Sequence, residues 1–332
     1  MDKEKTNVKK KTYAYNINAE RDLLEIFTLV KEKINNNYTN LDERNLIFTD
    51  GKNGLKYFLD VKNIEEYEKI NDNNKIQICK CILYKLRSDD FPYLFDILTG
   101  QKTEINSNNS DTIMEQTHFI MIPELKVIIS EYNHFGAQPT KIPAVIQKVL
   151  GEAYVNKLEV KHMLNTETAY RLRNLKDVET ISIKCGHQGL KTVNHYFNVN
   201  FLDVMEKGFR NTEDLEFKFT ISGKGRGANK KSIELEDESK FKRFCNLLFN
   251  SKNKKNLDIH SAKINERRTK GKLEIKELPI DLFSDYFVEE VTAVRLSKKS
   301  KYIDSDDMFK KLLELYNENK FEFSDYGKIK LE

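Results

Sequence analysis

Cysteine is scarce in this sequence, with four in 332 residues. Cys79 and Cys81 are separated by one residue in an alternating apolar segment, whereas Cys185 and Cys245 stand alone. Neither a disulfide framework nor a zinc site has this spacing. We therefore expect reduced, structural thiols, and the pattern argues against a disulfide-stabilised protein.

Long apolar runs are also missing, since no segment approaches the roughly 18 apolar residues of a membrane-spanning helix. The basic segment 1–18 is followed by neither the apolar region nor the cleavage site of a secretory signal. We therefore expect a cytoplasmic protein. A large excess of one charge is missing as well, because 56 basic residues accompany 52 acidic ones and the formal net charge is +4. The distribution of charge must therefore decide whether nucleic acid is bound.

Common catalytic and cofactor motifs are absent from the sequence. Gly223, Gly225 and Gly227 lie close together, but their spacing fits neither a Walker phosphate loop nor a dinucleotide-binding loop. The six histidines lack the spacing of zinc sites, and neither a nucleophile elbow nor a Cys–His arrangement is found. The sequence therefore favours a protein with no cofactor and no metal site that catalyses no reaction.

Apolar residues are abundant enough to form packed cores, with 39% hydrophobic residues, 20 phenylalanines and 15 tyrosines. Since 332 residues exceed the size at which one core stops growing, we predict two domains, residues 1–150 and residues 151–332. Apolar spacing predicts a helix from Leu23 to Ile34, a strand over residues 75–87 and a helix in SDYFVEEV, residues 284–291. Strands and helices do not alternate strictly, which favours an α+β fold with a mostly antiparallel sheet and packed helices in each domain.

Basic residues are clustered in the second predicted domain. The glycine-rich segment 223–231 contains no acidic residue and carries Lys224, Arg226, Lys230 and Lys231. A second cluster comprises Lys263, Arg267, Arg268, Lys270 and Lys272, and a third comprises Arg295, Lys298, Lys299 and Lys301. A flexible backbone lets cations approach phosphates closely, and each neutralised phosphate releases counterions. The clusters are either solubilising surface segments or parts of a shared phosphate-binding surface, and the presence of three favours the second interpretation.

Two combinations of acidic residues also need an interpretation. Glu131 and His134 form an acid–imidazole pair in sequence, but next to a strand end their side chains should diverge, so we expect His134 to be a turn or interface residue. Asp203 with Glu216 and Lys218 fits the pattern of a metal-dependent nuclease loosely. In a chain that is one-third charged, such matches also arise by chance.

The order of features resembles a known family. A strand, a Phe–Gly turn and a short helix lie in SEYNHFGAQPTKIPAVIQKVL, and a further strand and a Leu-rich segment follow in LEVKHML and ETAYRLRNLKDVETISIKC. Together with the later FCNLLFN to YFVEE region, this order resembles the RexA phage-exclusion proteins of lambdoid prophages over most of residues 115–290. It is similar, more loosely, to the DNA-binding component of the Kiwa anti-phage system. The resemblance implies sequence-independent DNA binding, dimerisation and cooperation with a membrane-embedded effector.

We therefore expect a DNA-binding sensor or regulator in defence against phage, which binds the DNA backbone without reading bases. The expected partners are double-stranded DNA, a second copy of the chain and a membrane-protein effector. Charge clustering alone selects the predicted nucleic-acid-binding residues, Lys224, Arg226, Lys230, Lys231, Arg267, Arg268, Lys270, Lys298 and Lys299. A metal-dependent nuclease and a protein-interaction module without nucleic-acid binding remain the alternatives.

Overall fold

The chain divides into two compact units. Unit 1 is formed by Met1–Val160 and Val288–Ser324, and unit 2 by Lys161–Phe287 and Asp325–Glu332. The computed structural model describes residues 6–34, 39–68, 75–87, 93–95, 101–104, 113–155, 157–173, 178–197, 215–224, 233, 238–250, 257–266, 268–270, 273–275, 279–282, 285–297 and 302–326.

Antiparallel strands and short helices make up both units. The strands are β1 (Asn7–Asn18), β2 (Ile47–Thr49), β3 (Lys56–Glu68), β4 (Lys75–Arg87), β5 (Tyr93–Phe95), β6 (Lys102–Glu104), β7 (Ile113–Ile122), β8 (Val127–Glu131), β9 (Glu159–His162), β10 (Val178–Cys185), β11 (Phe217–Ser222), β12 (Ile259–Glu266), β13 (Arg268–Lys270), β14 (Leu273–Ile275), β15 (Ile280–Asp281) and β16 (Val288–Val294). The helices are α1 (Leu23–Ile34), α2 (Ile142–Leu150), α3 (Thr166–Arg173), α4 (His187–Phe197), α5 (Glu238–Asn250), α6 (Ser305–Glu318) and α7 (Lys320–Tyr326). The predicted α+β fold is confirmed.

The main sheet of unit 1 has the strand order β16-β1-β8-β7-β4-β3-β2, and β9 pairs with β1. Neighbouring strands of that order run antiparallel. Every residue of β8 is buried, as expected for a central strand that is covered on both faces. Residue Phe119 of β7 belongs to the core that α1 and α2 cover, whereas the ring of the preceding His118 packs against Phe309 of α6. Since successive strand residues point to opposite faces, α6 covers the second face of the sheet.

The sheet of unit 2 has four strands in the order β11-β10-β12-β15. Its apolar face carries Ile181 and Ile183 of β10, which share a buried core with Leu190 of α4 and with Phe244 and Leu248 of α5. The apolar residues of both helices recur at helical spacing, so that one side of each helix is buried against the sheet. The helices therefore cover one face of this sheet, and the other face carries the polar side chains.

Two sequence-based predictions differ from the structure near residue 288. The predicted helix in residues 284–291 is wrong, because Val288–Val294 is strand β16. This strand pairs with β1 from Asn7↔Val294 to Tyr13↔Val288, at the opposite end of the sequence. The side chains of Lys9 and Glu290, which form a hydrogen bond between the two strands, are 281 residues apart in sequence. The same pairing places Val288–Ser324 in unit 1, whereas the predicted boundary after residue 150 assigns them to the second domain.

The four cysteines are buried and free, as predicted. Burial raises the pKa of the Cys79, Cys185 and Cys245 thiols to about 12. Burial also raises the pKa of the Cys81 thiol well above its ordinary value. Thiols with such pKa values stay protonated at neutral pH and are poor nucleophiles, so their role is in packing.

The helices in the described part of the chain are short. The longest of them, α6, has 14 residues and carries acidic side chains in its first turn. Among the residues that the structure describes, no helix combines the length and the apolar character needed to cross a lipid bilayer.

Candidate nucleic-acid interface

The polar face of the unit 2 sheet is produced by strict alternation along its strands. In β11, Lys218, Thr220 and Ser222 are exposed, and the residues between them are partly buried against the core. Because side chains of a strand alternate between faces, the exposed residues of β11 lie beside the polar residues of β10 and β12. We call this surface of β10, β11 and β12 the open face, and it consists of Thr180, Ser182, Lys184, Lys218, Thr220, Ser222, Ser261, Lys263 and Asn265. On the neighbouring strand β15, Asp281 lies directly opposite Lys263.

Cross-strand pairing orders the hydroxyl groups of the open face into a ladder. Ser182 lies opposite Thr220 on one side and Lys263 on the other. The Oγ atom of Ser182 and the Oγ1 atom of Thr220 are 3.1 Å apart, within hydrogen-bond distance. Each hydroxyl has one proton and two lone pairs. It can therefore replace the hydrogen bond to the neighbouring hydroxyl by one to a phosphate oxygen at little cost in free energy.

Lysines lie on the same face with weak or no internal partners. The Nζ atom of Lys184 is 2.9 Å from Oε1 of Glu216, and the Nζ atom of Lys263 is 3.2 Å from Oδ2 of Asp281. Exposed ion pairs of this kind contribute only about 0–1 kcal/mol to stability, so a phosphate group can compete with the carboxylates for these lysines. Lys218 and Lys224 are exposed and form no ion pair with any residue that the structure describes. The lysines are therefore available to an anionic ligand.

Two of the predicted basic clusters continue from one edge of this sheet. Thr180 is paired with Ser222, the last residue of β11, and with Asn265, the penultimate residue of β12. Adjacent strands are about 4.8 Å apart, so Ser222 and Asn265 lie roughly 10 Å from each other across β10. After Ser222 the chain continues into the glycine-rich basic segment, and after β12 it continues into the Arg267 cluster. The register thus brings the beginnings of two basic segments to the same edge.

The predicted binding residues differ in how far the structure describes them. Lys224 is exposed two residues after the end of β11, and the backbone of Arg268 and Lys270 belongs to β13, which pairs with β14. Arg226, Lys230, Lys231, Arg267, Lys298 and Lys299 lie outside the described residues. The third cluster begins at Arg295, which follows β16 in unit 1, whereas the other two clusters belong to unit 2.

Lys184 and Lys218, together with the hydroxyl ladder, were not among the residues predicted from clustering. The sequence feature that indicates this surface is the alternation of Phe217, Phe219 and Ile221 with lysine and hydroxyl residues in β11. Charge clustering favours residues that are close in sequence, and cannot detect lysines that strand pairing brings together. Thus Lys184 and Lys218, at directly paired positions, were missed.

Glu131 does pair with an imidazole, but the imidazole is that of His118. Glu131 Oε1 accepts from the His118 backbone N–H at 3.0 Å and from Nδ1 at 2.5 Å, and both side chains are buried. His134 lies in the exposed bend after β8, where its Nδ1 atom is 3.3 Å from the hydroxyl of Tyr132. Glu131 and His134 therefore have different partners, and His134 lies in a bend, in agreement with the predicted turn residue.

The buried pair is extended by Ser305, whose Oγ atom is 2.8 Å from His118 Nε2. A hydroxyl, an imidazole and a carboxylate in this order can activate a nucleophile if donors stabilise the oxyanion that forms. Here the N–H groups of Asp306 and Asp307 at the start of α6 already donate to Asp304 Oδ1, both at 3.2 Å. The negative charges of Asp304, Asp306 and Asp307 would also repel an oxyanion. The network therefore holds α6 on the sheet.

The residues considered for a nuclease do not form a metal site in the described part of the chain. Glu216 Oε2 and Asp258 Oδ1 are 3.0 Å and 3.1 Å from the two different ring nitrogens of His260. The imidazole therefore separates the two carboxylates, which do not converge on one point. Among the described residues there is no group of three side chains that could hold a metal ion. Asp203 lies outside the described residues.

No protein-family model matches this chain. No curated protein matches it either. What the chain binds must therefore follow from the open face and the basic segments themselves.

Proposed function

We propose that the chain binds double-stranded DNA independently of sequence, through the open face of unit 2 and the basic segments that continue from its edge. The strand register carries this proposal, because Ser222 and Asn265 flank Thr180 where two basic segments begin. Ammonium and hydroxyl groups both donate hydrogen bonds to phosphate oxygens, and such contacts carry no sequence information. A surface built mainly from these groups therefore recognises the backbone of DNA.

The composition of the open face favours a duplex over a single strand. Proteins that bind single strands on a sheet stack bases on exposed aromatic rings. In the described part of the open face no phenylalanine or tyrosine is present, because the aromatic residues Phe217 and Phe219 point to the opposite, apolar face. The available groups suit phosphates that are presented in a regular array, as on the outside of a duplex.

The resemblance to RexA and to the Kiwa component supplies the biological part of the proposal. A cytoplasmic protein that holds DNA of any sequence can act as a sensor or regulator in defence against phage. In this role the chain forms a homodimer and acts with a membrane-protein effector. A gene for a membrane protein next to the gene for this chain would support the role.

A salt titration of duplex binding, with and without Mg²⁺, tests the proposed activity. We expect unrelated duplexes to bind with similar dissociation constants, on the order of 10⁻⁴ to 10⁻⁶ M at physiological salt, with strong salt dependence and no cleavage. Cleavage that requires Mg²⁺ would support the nuclease alternative. No binding even at low salt would contradict the proposal and support a protein-interaction module.

Variants of two lysines locate the binding surface in the same assay. Changing Lys218 and Lys224 to alanine removes two phosphate contacts, so the slope of log K against log salt should become shallower by about 0.9 per contact. Lys148→Ala, a change at an exposed lysine of unit 1, is the matched control and should leave the slope unchanged. A double variant with the original affinity and slope would exclude Lys218 of the open face and Lys224 of the glycine-rich segment as DNA contacts and contradict the proposed surface.

A further inference from the structure

Unit 1 contains a cleft of about 300 Å³ at the end of β8. Its wall includes Lys10 of β1, His118 of β7 and Glu131 of β8, together with Arg295 and Tyr302 from the segment that follows β16. Small-molecule sites range from roughly 300 to 1,000 Å³, so this cleft has the size for one small ligand. Its residues play no part in the proposed DNA-binding surface of unit 2.

The acidic groups of the cleft are already engaged by internal partners. Glu131 accepts two hydrogen bonds from His118, and its Oε2 atom lies 3.7 Å from the Nζ atom of Lys10. Glu115 lies 3.6 Å from a guanidinium nitrogen of Arg87. Both carboxylates therefore have a neutralising partner, and neither is available to bind a cationic ligand.

The basic groups of the cleft are less engaged. The backbone N–H of Arg295 donates to the carbonyl of Thr6 at 2.9 Å, and no described residue pairs with its guanidinium group. Lys10 is ion-paired with Glu131, but their 3.7 Å separation is too long for a hydrogen bond, so the three N–H donors of the ammonium group are not used by this carboxylate. A guanidinium carries five donors in a fixed fork, which fits the paired oxygens of a phosphate or carboxylate. The cleft therefore offers the hydrogen-bond donors of Arg295 and Lys10 to an anion.

An aromatic ring lies exposed at the rim of the cleft. Phe135 is 51% exposed, and its ring centroid is 5.0 Å from that of His134. The bend is fixed from both sides, because the Phe135 N–H donates to Oδ1 of Asn133 at 3.1 Å and Lys85 Nζ donates to the Phe135 carbonyl at 3.1 Å. A phenyl group held exposed by a braced backbone is suited to stacking on a planar ligand.

Close packing explains why the bend is followed by glycine. A Cβ atom on Gly136 would lie 2.4 Å from Oγ1 of Thr117 and 2.8 Å from Nδ2 of Asn133. Thr117 is buried in β7, so it has little room to move. The absence of a side chain at Gly136 thus allows the bend to pack on the sheet and holds Phe135 at the rim.

We propose that this cleft binds a small anion with a planar ring, of the class of nucleoside 5′-monophosphates. The phosphate lies on Arg295 and Lys10, and the base stacks on Phe135. This assignment goes beyond DNA binding by unit 2, because the site is in unit 1 and has room for one nucleotide rather than a duplex.

Calorimetric titration with AMP, GMP, CMP and UMP tests the proposal, with the matching nucleosides and inorganic phosphate as comparisons. We expect at least one monophosphate to bind, and its nucleoside and inorganic phosphate to bind at least tenfold more weakly, because each lacks one of the two contacts. If none of the four monophosphates binds at millimolar concentration, or if a nucleoside binds as well as its monophosphate, the proposal is wrong.

Two variants locate the ligand on the cleft. Arg295→Ala and Phe135→Ala should each weaken binding of the monophosphate at least tenfold, while Lys148→Ala and Phe321→Ala, at an exposed lysine and an exposed phenylalanine of unit 1, should not. Both test variants should bind duplex DNA as the unmodified chain does, which distinguishes this site from the open face. Unchanged monophosphate binding in Arg295→Ala, or a parallel loss of duplex binding, would overturn the assignment.

Discussion

At the scale of single residues, the network of Glu131, His118 and Ser305 links β7 and β8 to α6, the helix that covers the second face of the sheet. His118 lies on the face of β7 that α6 covers, and its ring contacts Phe309 in an edge-on arrangement with centroids 5.5 Å apart. A second link is the Val294 N–H, which donates to Oδ2 of Asp307 at 2.7 Å. A buried polar group that loses its hydrogen-bond partner destabilises the folded state, so the network fixes the position of α6.

The charge on Glu131 makes this network sensitive to acid. Burial by itself raises the pKa of the Glu131 carboxyl, but the hydrogen bonds and charge of His118 and the charge of Lys10 outweigh it, so the pKa lies below the ordinary 4.5. A carboxyl whose pKa is lower in the folded state stabilises the fold above the unfolded pKa. That contribution is lost as the pH falls below about 4.5 and through the folded pKa.

We therefore predict that Glu131→Gln lowers the free energy of unfolding by about 1–3 kcal/mol at pH 7, because the amide satisfies His118 less well. Urea unfolding of both proteins at steps from pH 7 to pH 3.5 measures the difference, which should shrink below about pH 4.5. Glu290→Gln is the control, because Glu290 forms an exposed ion pair with Lys9 and its loss should cost little at any pH. A difference that stays constant across this range would contradict the assigned role of the carboxylate.

At the scale of single elements, local periodicity predicts the structure wherever an element packs through its own pattern. The predicted helix from Leu23 to Ile34 is confirmed with the same bounds, because its apolar residues recur at helical spacing. The strand predicted over residues 75–87 is confirmed as β4. Periodicity fails at β16, where Val288, Glu289 and Glu290 are exposed and pairing with β1 decides the structure.

The candidate site, too, could be predicted from the sequence only in part. The sequence identifies basic segments, since residues such as Lys224 and Arg226 are neighbours in the chain. It does not identify the open face, because Lys184 and Lys218 come together only through the antiparallel register of β10 and β11. Nor does it pair Glu131 with His118, since the neighbouring His134 is the obvious partner in sequence. Long-range pairing leaves too little trace in local patterns to be read from one sequence.

The glycine-rich segment after β11 can be tested as an element. We predict that replacing Lys224, Arg226, Lys230 and Lys231 together weakens duplex binding equally for all sequences and lowers the slope of log K against log salt by about 3 to 4. The free energy of unfolding should change by about half a kcal/mol or less, as for surface residues that make no core or cap contacts.

The comparison for the glycine-rich segment is a variant with Lys298, Lys299 and Lys301 replaced, measured over the same salt range. Loss of affinity in the first variant alone places the DNA-binding surface on unit 2. Equal losses would indicate that the third cluster also contacts DNA. Unchanged binding in the first variant would mean that the segment is a solvated loop, and the predicted role of its four basic residues would then be wrong.

At the scale of the whole molecule, we predict a homodimer. The resemblance to RexA implies dimerisation, and we expect the two-fold pair to present both copies of the open face to one duplex. Binding through two linked faces makes the second contact intramolecular, so the dimer binds long duplexes more tightly than a single face can. A duplex too short to reach both faces should therefore bind much more weakly than a long one, although each face meets the same phosphates.

Light scattering of the purified protein at micromolar concentration gives the mass directly. We expect twice the 39.0 kDa of one chain. A duplex length series measured at constant salt then tests whether both faces are used, because affinity should rise steeply once the duplex spans them and only gradually beyond that length. A single species of 39.0 kDa would contradict both the dimer and the role that the resemblance implies. A dimer whose affinity rises only in proportion to duplex length would show that the two open faces act independently.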